Sequence, residues 1–100
     1  MNEHTRKQND LAVKFKALAH PARVKLVQDL LKKELCVGEI QESLSISQPN
    51  VSQHLRILKK AGVVTGRRDK NRICYSIEDE RIKQAFELLL KGRQNNGKHS

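Results

Sequence analysis

The side chains best suited to chemistry in this 100-residue chain lie between residues 47 and 72. Amides and cations recur there, and such groups hydrogen-bond the edges of DNA bases and neutralise phosphates. The candidates are Ser47, Gln48, Asn50, Gln53, His54, Arg56, Lys60, Arg67, Arg68, Lys70 and Arg72. No Ser, His and Asp set and no phosphate-binding loop accompanies them, so we expect neither a catalytic residue nor an enzyme.

One helix is predicted to carry most of these side chains. Val51, Leu55 and Leu58 recur at helical spacing and predict its buried face. Ser47 is the predicted N-cap, with a hydroxyl that accepts a backbone N–H, and Gly62 is expected to end the helix. His54 lies near the polar face, where contact with DNA is favoured over packing between helices.

The charge of the chain is concentrated on this region. The net charge is +9, and residues 47–72 hold seven Lys and Arg against one Asp. Residues 34–46, by contrast, hold three Glu and no Lys or Arg. This placement predicts a face that binds a polyanion, and the alternative is a cationic surface that only keeps the chain soluble.

The neighbouring segments predict the fold that presents this helix. Residues 37–44 form a short helix joined to it by three residues, which is typical of a helix-turn-helix. Two β-prone runs then flank a polar turn at residues 69–71 and predict a basic hairpin. The expected fold is mainly α with a small β-hairpin: a winged helix-turn-helix of about five helices.

The chain is short enough for one domain. We expect a flexible N-terminal segment at 1–10, the winged helix-turn-helix and dimerisation domain at 11–91, and a disordered tail at 92–100. Further helices are predicted from Leu11 to Ala19, from Pro21 to about Lys33, and from Asp79 to about Lys91. No apolar run of membrane-spanning length or signal peptide is recognised, so we expect a cytoplasmic protein without a membrane partner.

The first and last helices carry apolar stripes that predict a homodimer. The candidate interface is Leu11, Phe15, Leu18, Ile82, Phe86, Leu89 and Leu90. A two-fold pair presents two DNA-reading helices to half-sites about ten base pairs apart. The alternative is that both stripes close the core of a single chain.

Four stretches of the sequence resemble the ArsR/SmtB family of bacterial and archaeal winged-helix repressors. They are FKALAHPARVKLVQDLL, ELCVGEI, LSISQPNVSQHLRILKKAGVV and RRDKNRICYSI. The resemblance implies a homodimer that binds operator DNA and releases it when an effector binds. It also implies that residues 48–56 approach the major groove, while the cations of residues 67–72 contact phosphates or the minor groove.

The metal sites of that family do not match this chain. The arsenic-sensing pattern has two cysteines one residue apart, whereas Gly38 stands here two positions after Cys36. The zinc and nickel pattern needs Asp and His along the last helix, and residues 79–91 contain no His. We therefore expect no metal and no cofactor, with a metal site of an unfamiliar kind as an alternative.

Cys36 and Cys74 remain as the candidate effector site. They lie on the short strand before the third helix and on the second hairpin strand, which pair in a winged helix. Alternation predicts that Leu35, Val37, Ile73, Tyr75 and Ile77 point inward and that both cysteines point to the opposite face. We hypothesise a redox switch, closed by a disulfide or a sulfur-bridged link. A metal held by both thiols and two inert small residues are the alternatives.

The predicted function is a sequence-specific DNA-binding transcriptional regulator, a homodimeric repressor whose binding to the operator blocks transcription. Its proposed release signal is thiol oxidation or persulfidation. The alternatives are a metal-responsive ArsR-type repressor, a winged-helix module for protein interaction or RNA binding, and a thiol or metal carrier. The carrier leaves the clustered positive charge unexplained, and the amides at 48, 50 and 53 argue against the interaction module.

Overall fold

The computed structural model describes residues 2–91, which form five helices and three short strands. The helices are α1 (Glu3–Leu18), α2 (Pro21–Lys32), α3 (Val37–Leu44), α4 (Gln48–Lys60) and α5 (Glu80–Lys91). The strands are β1 (Leu35–Cys36), β2 (Thr65–Asp69) and β3 (Arg72–Ser76). This order confirms the predicted winged helix-turn-helix.

The three strands form one antiparallel sheet in the order β1-β3-β2. Strand β3 is central, so the wing hairpin of β2 and β3 is joined to β1, which leads directly into α3. At the turn of the hairpin, Lys70 adopts a positive φ of 62°. The sheet therefore connects the wing to the first helix of the helix-turn-helix.

The core forms where the apolar faces of α2, α3 and α4 meet. Its largest fully buried side chains are Leu26, Val27, Ile40, Val51, Leu58, Val63 and Cys74. The predicted inner face of α4 is confirmed, because Val51, Leu55 and Leu58 are all buried. Gly62 follows α4 with φ 80°, in the left-handed region where glycine has no Cβ penalty.

Helix α1 begins earlier than predicted. It starts at Glu3 instead of Leu11, because the Asn2 side chain caps it by accepting the Thr5 N–H at 2.8 Å. The sequence interpretation missed this cap, since the polar residues before Leu11 show no apolar periodicity. The predicted tail at 92–100 lies outside the described residues.

The alternation predicted for the wing was wrong. Cys74 is only 2% exposed, whereas Ile73 is 40% exposed and Tyr75 is half-buried. The prediction placed Ile73, Tyr75 and Ile77 on one inward face, but Ile77 lies beyond the end of β3, where the strand alternation no longer holds. Cys36 is buried as well, so both cysteines lie within the fold.

No helix among residues 2–91 is long and apolar enough to cross a membrane.

Candidate nucleic-acid interface

Helix α4 presents a continuous polar face to solvent. Gln48, Asn50, Gln53, Arg56 and Lys60 are all exposed, opposite the buried apolar side of the helix. Within the described residues, no hydrogen bond or ion pair is recorded for these five side chains. Their donors and acceptors are therefore available to an external ligand, and amides and guanidinium groups match base edges in both hydrogen-bonding pattern and reach.

Ser47 is the N-cap residue of α4, as predicted. Its hydroxyl does not make the predicted hydrogen bond to the backbone of the helix. Its backbone carbonyl instead accepts the N–H groups of Asn50 at 3.1 Å and Val51 at 3.0 Å. Pro49 has no N–H to offer at this end of the helix. The exposed Ser47 hydroxyl thus has no recorded partner among residues 2–91 and lies at the start of the polar face.

His54 differs from the other candidates on α4, because it is half-buried and bonded within the chain. Its Nδ1 lies 3.2 Å from Arg23 Nη1, and its ring packs edge-on against His20 with centroids 4.8 Å apart. Burial, followed by the neighbouring His20 and Arg23, lowers the pKa of His54 below its ordinary value. The sequence analysis did not single out Arg23, because its contact with α4 joins residues 31 positions apart and has no local signal.

The four wing cations are held in different ways. Arg67 donates to Glu34 through Nε at 2.7 Å and Nη2 at 2.8 Å, a bidentate pair that crosses from β2 to the residue before β1. These hydrogen bonds lower the pKa of Glu34 and raise the pKa of Arg67. Arg72 lies 3.6 Å from Asp69, whereas Arg68 and Lys70 are exposed and have no ion pair recorded in residues 2–91.

Glu34 is therefore a part of the site that the sequence reading missed. It lies in the acidic segment 34–46, which was interpreted as a contrast to the basic surface and not as a contact with it. No local pattern indicates the pair, because the two residues are 33 positions apart and meet only when β1 joins the sheet. Half of the wing cations thus have a carboxylate partner.

Cys36 and Cys74 are brought together by strand pairing. They are opposite each other in the register of β1 and β3, their Cα atoms are 3.7 Å apart, and a disulfide joins them. Cys36 is also the N-cap residue of α3, and its backbone N–H donates to the Glu39 carboxylate at 2.8 Å. The disulfide therefore links β3, the central strand of the sheet, to the N-cap residue of α3, the first helix of the helix-turn-helix.

A groove of about 1200 Å³ runs between the wing and the helix-turn-helix. The residues that line it include Cys36, Gln48, Arg68, Ile73 and Tyr75. Cys36 contacts this groove while Cys74 does not.

The candidate dimer residues fall into three groups by their exposure in the single chain. Leu11 and Phe15 on α1, and Leu89 and Leu90 on α5, are 52%, 62%, 80% and 54% exposed, whereas Leu18 is half-buried. The other two, Ile82 and Phe86, are buried within the chain itself. Val13 and Leu88 are exposed apolar side chains as well, although the sequence analysis did not include them among the interface candidates.

In the part of the chain that the structure describes, no group of three or more His, Cys, Asp or Glu side chains is arranged to hold a metal ion.

Comparison with known proteins agrees with this geometry. A family model described as a bacterial regulatory protein of the arsR family matches residues 20–65. Over 84 residues the chain is 37% identical to the biofilm growth-associated repressor of Agrobacterium fabrum, a match that covers 84% of this chain and 72% of that protein.

Two solved structures are similar to the fold described above. One is a homodimeric winged helix-turn-helix DNA-binding domain of Mycobacterium bovis, a possible ArsR-family regulator, with a TM-score of 0.88 and 24% identity over 100% of this chain and 94% of that one. The other is reduced HlyU of Vibrio cholerae, with a TM-score of 0.78 and 32% identity over 89% of this chain and 94% of that one. With its sequence match and its winged-helix geometry, this chain belongs to the ArsR family of bacterial regulatory proteins.

Proposed function

We propose that the chain is a homodimeric repressor that binds operator DNA with α4 and the wing and releases it when Cys36 and Cys74 form a disulfide. Its role is regulatory and not catalytic, and it acts in the cytoplasm, where bacterial DNA lies. The observation that carries the DNA-binding part is the polar face of α4, which is exposed and free of recorded internal bonds in residues 2–91. The opposite, apolar face of α4 is buried in the core, which holds the polar side chains at fixed spacing.

The two contact surfaces divide the recognition. Gln48, Asn50, Gln53 and Arg56 on α4 approach base edges in the major groove, where each base pair presents a distinct pattern of donors and acceptors. The wing cations contact the phosphate backbone, which carries no sequence information directly but contributes much of the affinity. His54 supports α4 from its inner edge.

Dimerisation is supported by the exposed apolar side chains on α1 and α5. Leu11, Phe15, Leu89 and Leu90 are all more than half exposed, and a second copy would shield these apolar side chains from water. A similar winged-helix domain from Mycobacterium bovis is described as homodimeric. Two-fold symmetry then matches a palindromic operator, because each α4 reads one half-site.

The release signal is supported by the position of the cysteine pair. Cys36 is the N-cap residue of α3, the first helix of the helix-turn-helix, and Cys74 lies on β3, the central strand of the sheet. A bond between them fixes the wing relative to α3 and α4, and reduction frees that relation. The reduced chain is the operator-binding form in this proposal, and a similar structure exists of HlyU in its reduced form.

The chemistry is a two-electron oxidation by a peroxide. In reduced protein, the thiolate of Cys36, a residue that lines the groove, attacks one peroxide oxygen and becomes a sulfenic acid, while the other oxygen leaves as water or an alcohol. The Cys74 thiol then attacks the Cys36 sulfur, the S–S bond forms, and the hydroxyl leaves as water. A thiol reductant reverses the reaction through exchange.

The test is fluorescence anisotropy with DNA from the promoter of the protein's own gene. We expect tight binding by reduced protein, an affinity about tenfold weaker after peroxide treatment, and recovery with a reductant. Cys36→Ser and Cys74→Ser should bind DNA like reduced protein and should not respond to peroxide.

Two results would contradict the proposal in different ways. Tight binding that is indifferent to peroxide, with the Cys36–Cys74 link verified by mass spectrometry, would remove the redox signal but keep the repressor. Equal affinity for promoter and random DNA under reducing conditions would remove the repressor itself.

A further inference from the structure

Arg23, near the start of α2, contacts two other helices at once. Its Nε donates to the carbonyl of Ala17 in the last turn of α1 at 2.5 Å. Its Nη1 lies 3.2 Å from Nδ1 of His54, in the middle of α4. Both contacts are partly buried, so water competes with them less than at the exposed surface. One guanidinium group therefore joins the C-terminal end of α1 to α4.

The His54 ring is held from a second side. His20, the N-cap residue of α2, packs edge-on against it, and His20 itself is fixed because its Nδ1 accepts the N–H of Ala22 at 3.0 Å. The neighbours of the ring come from both the start and the first turn of α2. These contacts of His54 thus fix the rotation of α4 about its own axis relative to α2.

The contact with Arg23 also defines the protonation of His54. A guanidinium group only donates hydrogen bonds, so Nδ1 of His54 must carry a lone pair. The proton of the neutral ring is then on Nε2. A second proton on Nδ1 would remove the acceptor and add a positive charge beside Arg23.

We propose that Arg23 is a positioning residue for base reading, acting through His54 to set the orientation of α4 relative to α1. This inference rests on the proposed function, since α1 carries exposed apolar side chains that a second copy is expected to cover. The angle between α1 and α4 then decides how the two reading helices of a dimer meet two half-sites. Arg23 touches no base in this arrangement, and it affects the preference for the operator more than the affinity for DNA in general.

Operator preference acquires a pH dependence from this arrangement. The charged or titratable groups recorded against His54 are His20 and Arg23, and both oppose a proton on it. Since the pKa of His54 is lowered in the fold, the contribution of the neutral ring is complete above its ordinary value. It is lost as the pH falls through the lowered one. Acid should therefore reduce the ratio of operator to random-DNA affinity.

The test compares Arg23→Ala, His54→Ala and the double variant by anisotropy with operator and with random DNA. We expect each single variant to lower the affinity ratio about tenfold and the double variant to lower it no further. Arg23→Lys, which keeps the charge and one donor but not the fork, should lie between wild type and Arg23→Ala. The matched control is Lys25→Ala, which removes a cation from the same helix and leaves the ratio unchanged.

The pH arm uses the same ratio, so that the general attraction of cations for DNA cancels. As the pH falls from 7, the ratio of operator to random-DNA affinity of the wild type should fall to that of Arg23→Ala. The same ratio for His54→Ala should not change with pH. Additive losses in the double variant, or lower thermal stability of Arg23→Ala with an unchanged ratio, would overturn the inference and leave Arg23 a structural residue.

A DNA-free measurement separates this inference from the proposed function. Nitrogen chemical shifts of the His54 ring, followed by NMR, should give a pKa that rises in Arg23→Ala and not in Lys25→Ala. If the wild type binds operator and random DNA equally, the proposed function and the base-reading role of Arg23 are both wrong, whatever the pKa of His54. If wild type prefers the operator but the His54 pKa is indifferent to Arg23, only the inference falls.

Discussion

The two DNA-facing regions, α4 and the wing, carry similar groups but hold them differently. On α4, Arg56 and Lys60 are exposed over a buried apolar face and have no ion pair recorded in residues 2–91. In the wing, Arg67 is paired with Glu34, and a disulfide joins β3 to β1. Because one face of α4 is buried, its hydrogen-bond donors stay at the fixed spacing that reading DNA bases requires. The wing hairpin, in contrast, can change its position when the disulfide forms or breaks.

The difference predicts a division of labour. Substitutions on the exposed face of α4 should change which DNA is bound, and substitutions in the wing should change how strongly any DNA is bound. Variants of Arg56, Arg68 and Glu34 test that division, and Gly66→Ala tests the packing within the wing; they follow from the largest expected effect to the smallest.

Loss of a base-reading group on α4 should have the largest effect. We expect Arg56→Ala to lower the preference for operator over random DNA by about 1 to 3 kcal/mol, because a bidentate base contact is lost. Gln53→Ala should act in the same direction. Competition anisotropy with both DNAs measures the preference, and an equal loss on operator and random DNA would move Arg56 to the backbone-contacting class.

Crowding inside the wing should come next. A Cβ at Gly66 would lie 2.9 Å from the Tyr75 ring, so Gly66→Ala should lower the free energy of unfolding by about 1 kcal/mol. The ring is half-buried and can move, which keeps the cost at the low end. The loss should shrink in a Tyr75→Ala background, as measured by thermal unfolding.

Gly62 provides the matched control at the end of α4. Its φ of 80° makes Gly62→Ala costly through the backbone. That cost should persist in the Tyr75→Ala background. If the cost of Gly66→Ala persisted there as well, contact with the ring would not be its cause.

Removal of an unpaired wing cation should affect all DNA alike. We expect Arg68→Ala to weaken operator and random DNA by the same factor and to reduce the salt slope of log affinity by about 0.9, the value for one phosphate contact. Affinities at several salt concentrations give the slope. A selective loss of operator binding would assign Arg68 a base contact and break the division.

Release of a paired wing cation should have the smallest effect and the opposite sign. Glu34→Gln frees Arg67 and removes a negative charge, so affinity for any DNA should rise a few-fold and the salt slope should steepen by up to about 0.9. The same release should occur in acid. The lowered pKa of Glu34 means that its pairing is complete above the ordinary carboxyl pKa and is lost as the pH falls through the lowered value.

An Asp69→Asn variant sharpens that last comparison. Arg72 lies farther from Asp69, at 3.6 Å, so its release should change the affinity less than the release of Arg67. A decrease of DNA affinity in Glu34→Gln would mean that the pair positions Arg67 for DNA instead of withholding it.

The elements of this fold were predictable where local patterns repeat. The spacing of Val51, Leu55 and Leu58 gave the inner face of α4, and the short connection before it gave the helix-turn-helix. The start of α1 was missed because its cap, Asn2, precedes a helical stretch without an apolar stripe. The burial of Cys74 was missed because the prediction grouped Ile77, which lies outside β3, with Ile73 and Tyr75 on one inward face.

The candidate site was predictable only in part, for a related reason. Exposed residues of α4 follow from helical periodicity, but the partners of His54 and Arg67 come from distant segments of the chain. Arg23 and Glu34 acquire their roles only when α2 meets α4 and β1 joins the sheet. Such contacts depend on tertiary packing, which no local pattern encodes.

The most direct test of sequence-specific binding is a salt series for reduced protein on its own promoter and on a random duplex of the same length. The account predicts steep lines of similar slope for the two DNAs, with the promoter bound about a thousandfold more tightly throughout. Two coincident lines would mean that α4 reads no sequence, and that result would contradict the account.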